Sequence, residues 1–407
     1  QYDGGRRECL LALLGGIMDH SFVFSIFVIF TGAAVLATIA LYTQQSLLVA
    51  YILLGLILGP SGLKLVPNLA LARGIGDVGI IFLLFLVGLD LTPQEFLRSL
   101  RKTALITLVF SALFTTIGFA VGYLFSFTLL ESLLIGASLI FSSTIIGLKL
   151  LPTLALHHKP IGETMISVLL LQDLLAIGML LFVHGAHLTG SKFADLGLTL
   201  VTFPALLGFA FVVQRYFISK LFVRFDRVQE YLFLVALGWC LGLAELSRAL
   251  GLSAEIGAFL AGVSIAEGPI AVFIADNLKP LRDFCLIMFF FAIGASFNLQ
   301  YFPEVFLPAV LLASLVLLIK PWLFQVLLQW SGERKYIARE VGVRLGQASE
   351  FSLLIAYLAA ETTPALIGDK ANYLIQAATI LTFVGSSYWV VLRYPTPLAL
   401  KEKMRVD

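Results

Sequence analysis

An aspartate in the middle of a membrane-length apolar run is the residue best placed to do chemistry in this chain. Asp173 follows Gln172 inside Ile166–Phe182, ISVLLLQDLLAIGMLLF, with no lysine or arginine near it in sequence. A run of that length reads as a membrane-spanning helix with Asp173 close to its midpoint. Inserting a carboxylate there costs about 2.5–3.5 kcal/mol on insertion scales. Ionisable groups at such depth mark proton or cation pathways. The chemistry available to a desolvated carboxylate is the exchange of a proton for a cation.

Two further polar clusters interrupt apolar runs. One holds Ser142, Ser143 and Thr144 in IFSSTIIG; the other holds Arg344, Gly346, Gln347, Ser349 and Glu350 in RLGQASEFS. Hydroxyl and backbone oxygens suit a hard cation that has shed water. Candidate cation ligands are therefore Asp173, Gln172, Ser142, Ser143 and Thr144, with Asp173 as the exchanging group. Glu350 and Arg344 read as structural charges, either paired or capping broken half-helices.

The elements that must position these residues are transmembrane helices. The 407 residues are 59% hydrophobic and 13% charged, with a mean hydropathy of +0.98. That composition excludes a soluble globular domain of this size. Hydropathy predicts thirteen spans, near 21–42, 46–59, 75–91, 103–125, 129–153, 163–185, 194–220, 229–248, 252–267, 281–297, 304–328, 335–360 and 371–393. Sixteen lysines and arginines follow odd-numbered spans or end the chain, against five after even-numbered spans. The positive-inside rule then puts the N-terminus outside and the C-terminus in the cytoplasm. Residues 1–17, ahead of Met18, read as an N-terminal extension or a cloning remnant, and 394–407 as a cytoplasmic tail. Cys9, Cys240 and Cys285 lie far apart and show no metal spacing. Cys240 and Cys285 fall in apolar segments and read as core thiols, with a disulfide framework not expected. His157 and His158 read as solvated loop residues. His184 and His187 lack a carboxylate cluster, so no metal site is expected.

The chain also resembles itself at a shift of about 206 residues. FLVGLDL at 85–91 aligns with FAIGASF at 291–297, Ser143 with Ser349, Thr144 with Glu350 and Asp173 with Thr379. Seven spans separate equivalent positions, so the halves are inverted repeats, a signature of alternating access. The polar clusters in spans five and twelve then predict two broken helices crossing at the repeat interface, since unpaired backbone at mid-membrane is tolerated only where it lines a cavity.

These motifs together resemble the monovalent cation:proton antiporter-2 family, and within it the Kef-type potassium/proton branch. The resemblance rests on YILLGLILGPSGL (51–63), DVGIIFLLFLVGLDLTPQEF (77–96), SSTIIG (142–147), LLLQDLLAI (169–177), EIGAFLAGVSIAEG (255–268) and LGQASEFSLL (345–354). It implies an all-α sodium/proton-antiporter-like fold in the bacterial inner membrane, and a homodimer. It implies core helices over 75–185 and 281–393, scaffold helices over 21–59 and 229–267, and a linker helix over 194–220. The implied activity is elevator-type exchange of a monovalent cation, potassium favoured, for a proton, with sodium/proton exchange as the alternative. The partners are the bilayer, the cation and the proton; neither a cofactor nor nucleic acid is expected. Kef systems also carry a soluble regulatory domain after the last helix. Here the sequence stops at Asp407, so that domain is either absent or beyond this chain. The segment 268–284 reads as a cytoplasmic loop whose acids are Asp276 and Asp283, which leaves glutathione gating unsupported. An integral-membrane enzyme would need a converging nucleophile, histidine or metal cluster, and none is found. A non-transporting membrane sensor is the remaining reading.

Overall fold

The computed structural model describes residues 22–66, 69–90, 93–149, 160–187, 194–266, 269–362 and 365–395. The leader 1–17, the loop with His157 and His158, and the tail past Pro395 lie outside the described residues, as do the side chains of Lys149, His184 and His187.

Among the described residues every regular element is a helix. The helices are α1 (Phe22–Tyr42), α2 (Leu47–Leu58), α3 (Ala70–Asp90), α4 (Pro93–Leu124), α5 (Leu129–Ser138), α6 (Thr144–Lys149), α7 (Pro160–His187) and α8 (Ala194–Val213). A π turn, Gln214–Ile218, joins α8 to α9 (Ser219–Arg224). Then come α10 (Gln229–Ala249), α11 (Ala254–Ser264), α12 (Pro269–Ser296), α13 (Phe302–Trp330), α14 (Lys335–Arg344), α15 (Glu350–Glu361) and α16 (Asp369–Arg393). Among the described residues, eight stretches are long and apolar enough to cross a membrane. They correspond to predicted spans one, three, four, six, seven, eight, eleven and thirteen. Spans two, five and nine appear as shorter apolar helices, so thirteen crossings is more than length and composition alone establish.

Two segments read as loops are helical. Residues 93–102 open α4, and 269–280 open α12. Each helix starts on a proline, which suits the first helical position because its missing N–H has no intrahelical partner there. Hydropathy sees only the apolar stretch that follows, so it starts both helices late.

The repeat is visible in the helix ends. α2 and α11 end at Leu58 and Ser264, and α4 and α13 at Leu124 and Trp330. Each pair differs by 206. The same shift relates two five-residue non-helical breaks, 139–143 between α5 and α6 and 345–349 between α14 and α15.

The chain divides into two compact units. The first comprises Gln1–Gly79 and Asp283–Leu299. Its core joins Ile29, Ala33, Leu54 and Leu58 to Met288, Phe291 and Ala295. Here α2 and α12 touch backbone to backbone: a Cβ on Gly55 would land on the Phe291 carbonyl, and one on Gly294 on that of Ile52. We expect Gly294→Ala to destabilise the fold by about 1–3 kcal/mol, because the obstacle is backbone and cannot rotate away. A melting temperature in detergent equal to that of the parent would refute this.

The second unit comprises Ile80–Arg282 and Gln300–Asp407. α4 and α5 form an antiparallel hairpin in which a Cβ on Gly118 would lie 2.5 Å from Gly136 Cα. α13 packs on α14, α16 and α4, and α7 packs on α4, α14 and α15. Gly257 abuts Leu243 and Ala244, and Gly262 abuts Phe85 and Gly88. Gly55, Gly59, Gly257 and Gly262 thus serve close helix approach within one chain. Cys240 and Cys285 are buried free thiols.

Candidate functional site

Each break begins a new half-helix with a serine cap. Ser143 Oγ accepts from the Ile146 N–H at 3.1 Å, opening α6. Ser349 Oγ accepts from the Phe351 N–H at 3.2 Å, opening α15, while Ser352 Oγ accepts from the Ser349 N–H at 3.2 Å. Serine competes with the helix for backbone donors, which is why it starts helices more readily than it continues them. The repeat-related serines therefore do the same job.

The two breaks are bonded to each other. Ser143 N–H donates to Ala348 O at 3.1 Å. Ser142 Oγ donates to Leu345 O at 2.9 Å, and Ser352 Oγ to Ser138 O at 2.6 Å. α16 braces the second break: Thr382 Oγ1 accepts from Ala348 N–H at 3.0 Å, and Ser386 Oγ donates to Gln347 Oε1 at 3.0 Å. Backbone polar groups away from water each need such a partner.

Gln172 clamps the first break with both ends of its amide. Its Oε1 accepts from Ser142 N–H at 3.1 Å, and its Nε2 donates to Ile140 O at 3.0 Å. Asp173 is the next residue and is 6% exposed. The carboxylate therefore lies one residue from the group that holds the break in place. Ser142 and Ser143 are buried. The Thr144 hydroxyl is buried without a hydrogen-bond partner.

Arg344 is the last residue of α14 and Glu350 the first of α15. Both are buried. Arg344 Nη2 lies 2.8 Å from Glu340 Oε1, donates to Pro395 O at 2.9 Å, and its guanidinium stands 5.5 Å over the Tyr394 ring. Ser349 Oγ donates to Glu350 Oε2 at 3.3 Å. Cation at a C-terminus and anion at an N-terminus is the arrangement that helix dipoles favour.

Lys320 is the site residue whose place the sequence did not reveal. Late in its span and before Pro321, it reads as a lysine reaching for the interface. In the structure it is 0% exposed. Its Nζ donates to Leu139 O at 3.2 Å, Phe141 O at 2.7 Å and Gln347 O at 2.8 Å. An ammonium has three donors and no acceptor, and here each donor has a carbonyl, two on one break and one on the other. The Phe110 and Phe114 rings lie 5.9 Å from the same nitrogen. An ionisable residue within an apolar run was the available signal; carbonyl partners from two remote segments leave no trace in sequence.

Other expected groups stay outside the cluster. Asp276 pairs with Lys279 at 2.9 Å on an exposed face of α12, and Glu245 with Arg248 at 3.0 Å on α10. Among the described residues, no three His, Cys, Asp or Glu side chains gather as a metal site would require.

Residues 18–393 match the family described as "Sodium/hydrogen exchanger, transmembrane". The chain is 30% identical over 353 residues to the protein named "Iron transporter MagA" of Paramagnetospirillum magneticum, covering 85% of this chain and 80% of that one. It is 31% identical over 359 residues to "K(+) efflux antiporter 4" of Arabidopsis thaliana, covering 84% and 58%. It is 28% identical over 404 residues to "Glutathione-regulated potassium-efflux system protein KefC" of Salmonella typhimurium, covering 96% and 63%. The chain thus spans less than two thirds of the latter two. Its fold is similar to that of the sodium proton antiporter MjNhaP1 from Methanocaldococcus jannaschii at pH 8, with a TM-score of 0.70 at 16% identity, over 90% of this chain and 95% of that one.

Proposed function

The chain belongs to the transmembrane sodium/hydrogen exchanger family, and from that premise we propose that it exchanges a monovalent cation for a proton across the membrane. The observation that carries this reading is Asp173, buried beside the clamped crossing of two broken helices. A carboxylate there can hold either a proton or a cation, and competition between them couples the two fluxes. Ser142, Ser143, Thr144 and Gln172 offer further oxygens at or beside the break. Arg344 and Glu350 hold the half-helix ends in place.

Potassium is the favoured cation, supported by the LLLQDLLAI motif and by the likeness to proteins named for potassium efflux. Sodium on the same scaffold is the alternative, favoured by the likeness in fold to an antiporter named for sodium. The motion is elevator-like: core helices over 75–185 and 281–393 move against a scaffold over 21–59 and 229–267, with 194–220 linking the halves. The protein works as a homodimer in a bacterial inner membrane, N-terminus outside and C-terminus in the cytoplasm. Regulation by a soluble domain beyond Asp407 belongs to the same reading.

The stoichiometry follows from the titratable groups. Asp173 holds one proton or one cation in turn. Its repeat equivalent, Thr379, cannot titrate, and neither can Gln172. Lys320 commits all three donors to break carbonyls, so it supports the crossing rather than cycling with the carboxylate. One-for-one exchange moves no net charge. In proteoliposomes we expect potassium, rubidium or sodium gradients to drive proton flux that an imposed potential does not alter. The rate should pass through a maximum with pH as the two ions compete. Steady currents on a solid-supported membrane, reversed by the cation gradient and lost in Asp173→Asn, would refute electroneutrality and point to a second exchanging group such as Glu350.

A further inference from the structure

Glu131 holds two helices by their first turns. It is the third residue of α5, following the cap Thr128 in TLLE. Its Oε2 accepts from the Thr128 N–H at 3.0 Å and from Thr128 Oγ1 at 2.9 Å, while its own N–H donates to Thr128 Oγ1 at 3.3 Å. That is the reciprocal cap which Ser/Thr-x-x-Glu sequences make. Its other oxygen, Oε1, accepts from the Gly368 N–H at 2.9 Å. Gly368 is the cap of α16 and has no side chain to offer, and Ala371 stands where that helix would carry a capping glutamate of its own. One carboxylate thus answers an orphan N–H on each of two helices.

The opposite end of α16 is held by Arg344. α16 ends at Arg393, and Arg344 Nη2 donates to Pro395 O at 2.9 Å, with its guanidinium 5.5 Å over the Tyr394 ring. The anion sits at the N-terminus of α16 and the cation at its C-terminus, as the helix dipole favours. The two residues come from the half-helices that enter the two breaks. Glu131 belongs to α5, which runs into 139–143, and Arg344 ends α14, which runs into 345–349. A second outer contact, between Lys370 and Glu304, has both side chains more than half exposed, and such pairs contribute little.

Between its ends α16 braces the second break. Thr382 Oγ1 accepts from Ala348 N–H at 3.0 Å, and Ser386 Oγ donates to Gln347 Oε1 at 3.0 Å. The packing of α16 on α13 and α15 is largely apolar, and apolar contact is non-directional. A slide of α16 by one residue rise, about 1.5 Å, is half the length of either bond and would spoil both. The axial position of α16 therefore decides whether the break is braced, and charged ties at its two ends oppose a slide.

We propose that Glu131 and Arg344 are positioning residues for exchange, fixing α16 along its axis so that Thr382 and Ser386 meet the second break. This rests on the antiport reading above and deepens it by naming what sets the register of the crossing. α16 is a rod of 25 residues, about 37 Å long. Either end alone can hold its register. With both released, it loses the two charged ties that oppose a slide. The two residues, at opposite ends of the rod, therefore act on the break as one unit.

The test is a double-mutant cycle in the full chain. Glu131→Ala removes the outer tie. Arg344→Lys keeps a charge for Glu340, but its nitrogen falls one bond short of Nη2 and so of the Pro395 carbonyl. The readouts are proton flux in proteoliposomes, driven by potassium or sodium, and amide hydrogen exchange over 345–349. Sites this far apart ordinarily act independently. We expect each single variant to fold and to lose some maximal rate, and the double variant to lose about ten-fold more than the product of the single losses. Hydrogen exchange over 345–349 should rise in the same non-additive way. Thr128→Ala, which weakens the α5 cap but leaves the Gly368 contact, should combine with Arg344→Lys additively. Two independent structural roles give another result: melting temperatures fall additively and 345–349 shows no excess exchange. Additive effects in both readouts, or an equal excess with Thr128→Ala, in a parent that transports, would overturn the axial ties alone. A parent without cation-driven flux would overturn the antiport reading and the role in exchange with it. If the double variant does not fold, Glu131→Gln, whose one oxygen replaces two, completes the cycle in place of Glu131→Ala.

Discussion

Asp173→Asn is expected to abolish cation-driven proton exchange while leaving the protein folded. The asparagine amide has nearly the shape of the carboxyl, so the packing of a residue 6% exposed is kept. What is lost is the ability to alternate between a protonated and a cation-bound form. Removing a charge from a buried position does not weaken the fold in general and often strengthens it, so melting temperature should hold or rise while flux falls to the level of empty liposomes. Gln172 is unaltered in this variant and continues to clamp the break, which separates loss of chemistry from collapse of the crossing. Substantial proton-coupled flux in the folded variant would remove Asp173 from the mechanism.

Lys320→Met should have the opposite signature, a large loss of stability accompanied by loss of exchange. Methionine nearly fills the space of the lysine stem but supplies no donor. The carbonyls of Leu139, Phe141 and Gln347 would each lose the ammonium at 2.7–3.2 Å. Hydrogen bonds from charged groups contribute about 1.5–3 kcal/mol each, and losses at one site do not add in full. A destabilisation on the order of 3 kcal/mol or more is expected, read as a fall in melting temperature with no recovery on adding cation. Because the lysine joins carbonyls from both breaks, its loss should also loosen α5 from α14, and hydrogen exchange across 139–149 and 345–361 should rise. A variant with parental melting temperature and exchange protection would show that the ammonium is dispensable to the crossing. Asp173→Asn and Lys320→Met thus separate a group that does the exchange from one that holds the site together.

The class of this protein, its repeat and the carboxylate at its centre can be read from residue order alone. Apolar runs of membrane length admit only helices, because every backbone group in lipid must bond within its own segment; that constraint is local and legible in composition. The 206-residue repeat was legible because FLVGLDL at 85–91 aligns with FAIGASF at 291–297 and Ser143 with Ser349 at one shift. The breaks were legible because serine and glycine within an apolar run mark where a helix has other uses for its backbone donors. Asp173 announced itself through the cost of putting an acid at that depth. Helix starts were less legible: the charged openings of α4 and α12 are helical although hydropathy assigns them to loops. Which groups answer the unpaired backbone of the breaks is visible only in the folded chain. Lys320 reads as a lysine near an interface, and it is a buried donor to three carbonyls. Gln172 reads as a candidate cation ligand, and in the fold both ends of its amide bond the backbone of the first break. The reason is the same in each case. A hydrogen bond is set by distance in space, and residues 27 to 181 positions from Lys320 reach its nitrogen only once the helices have crossed.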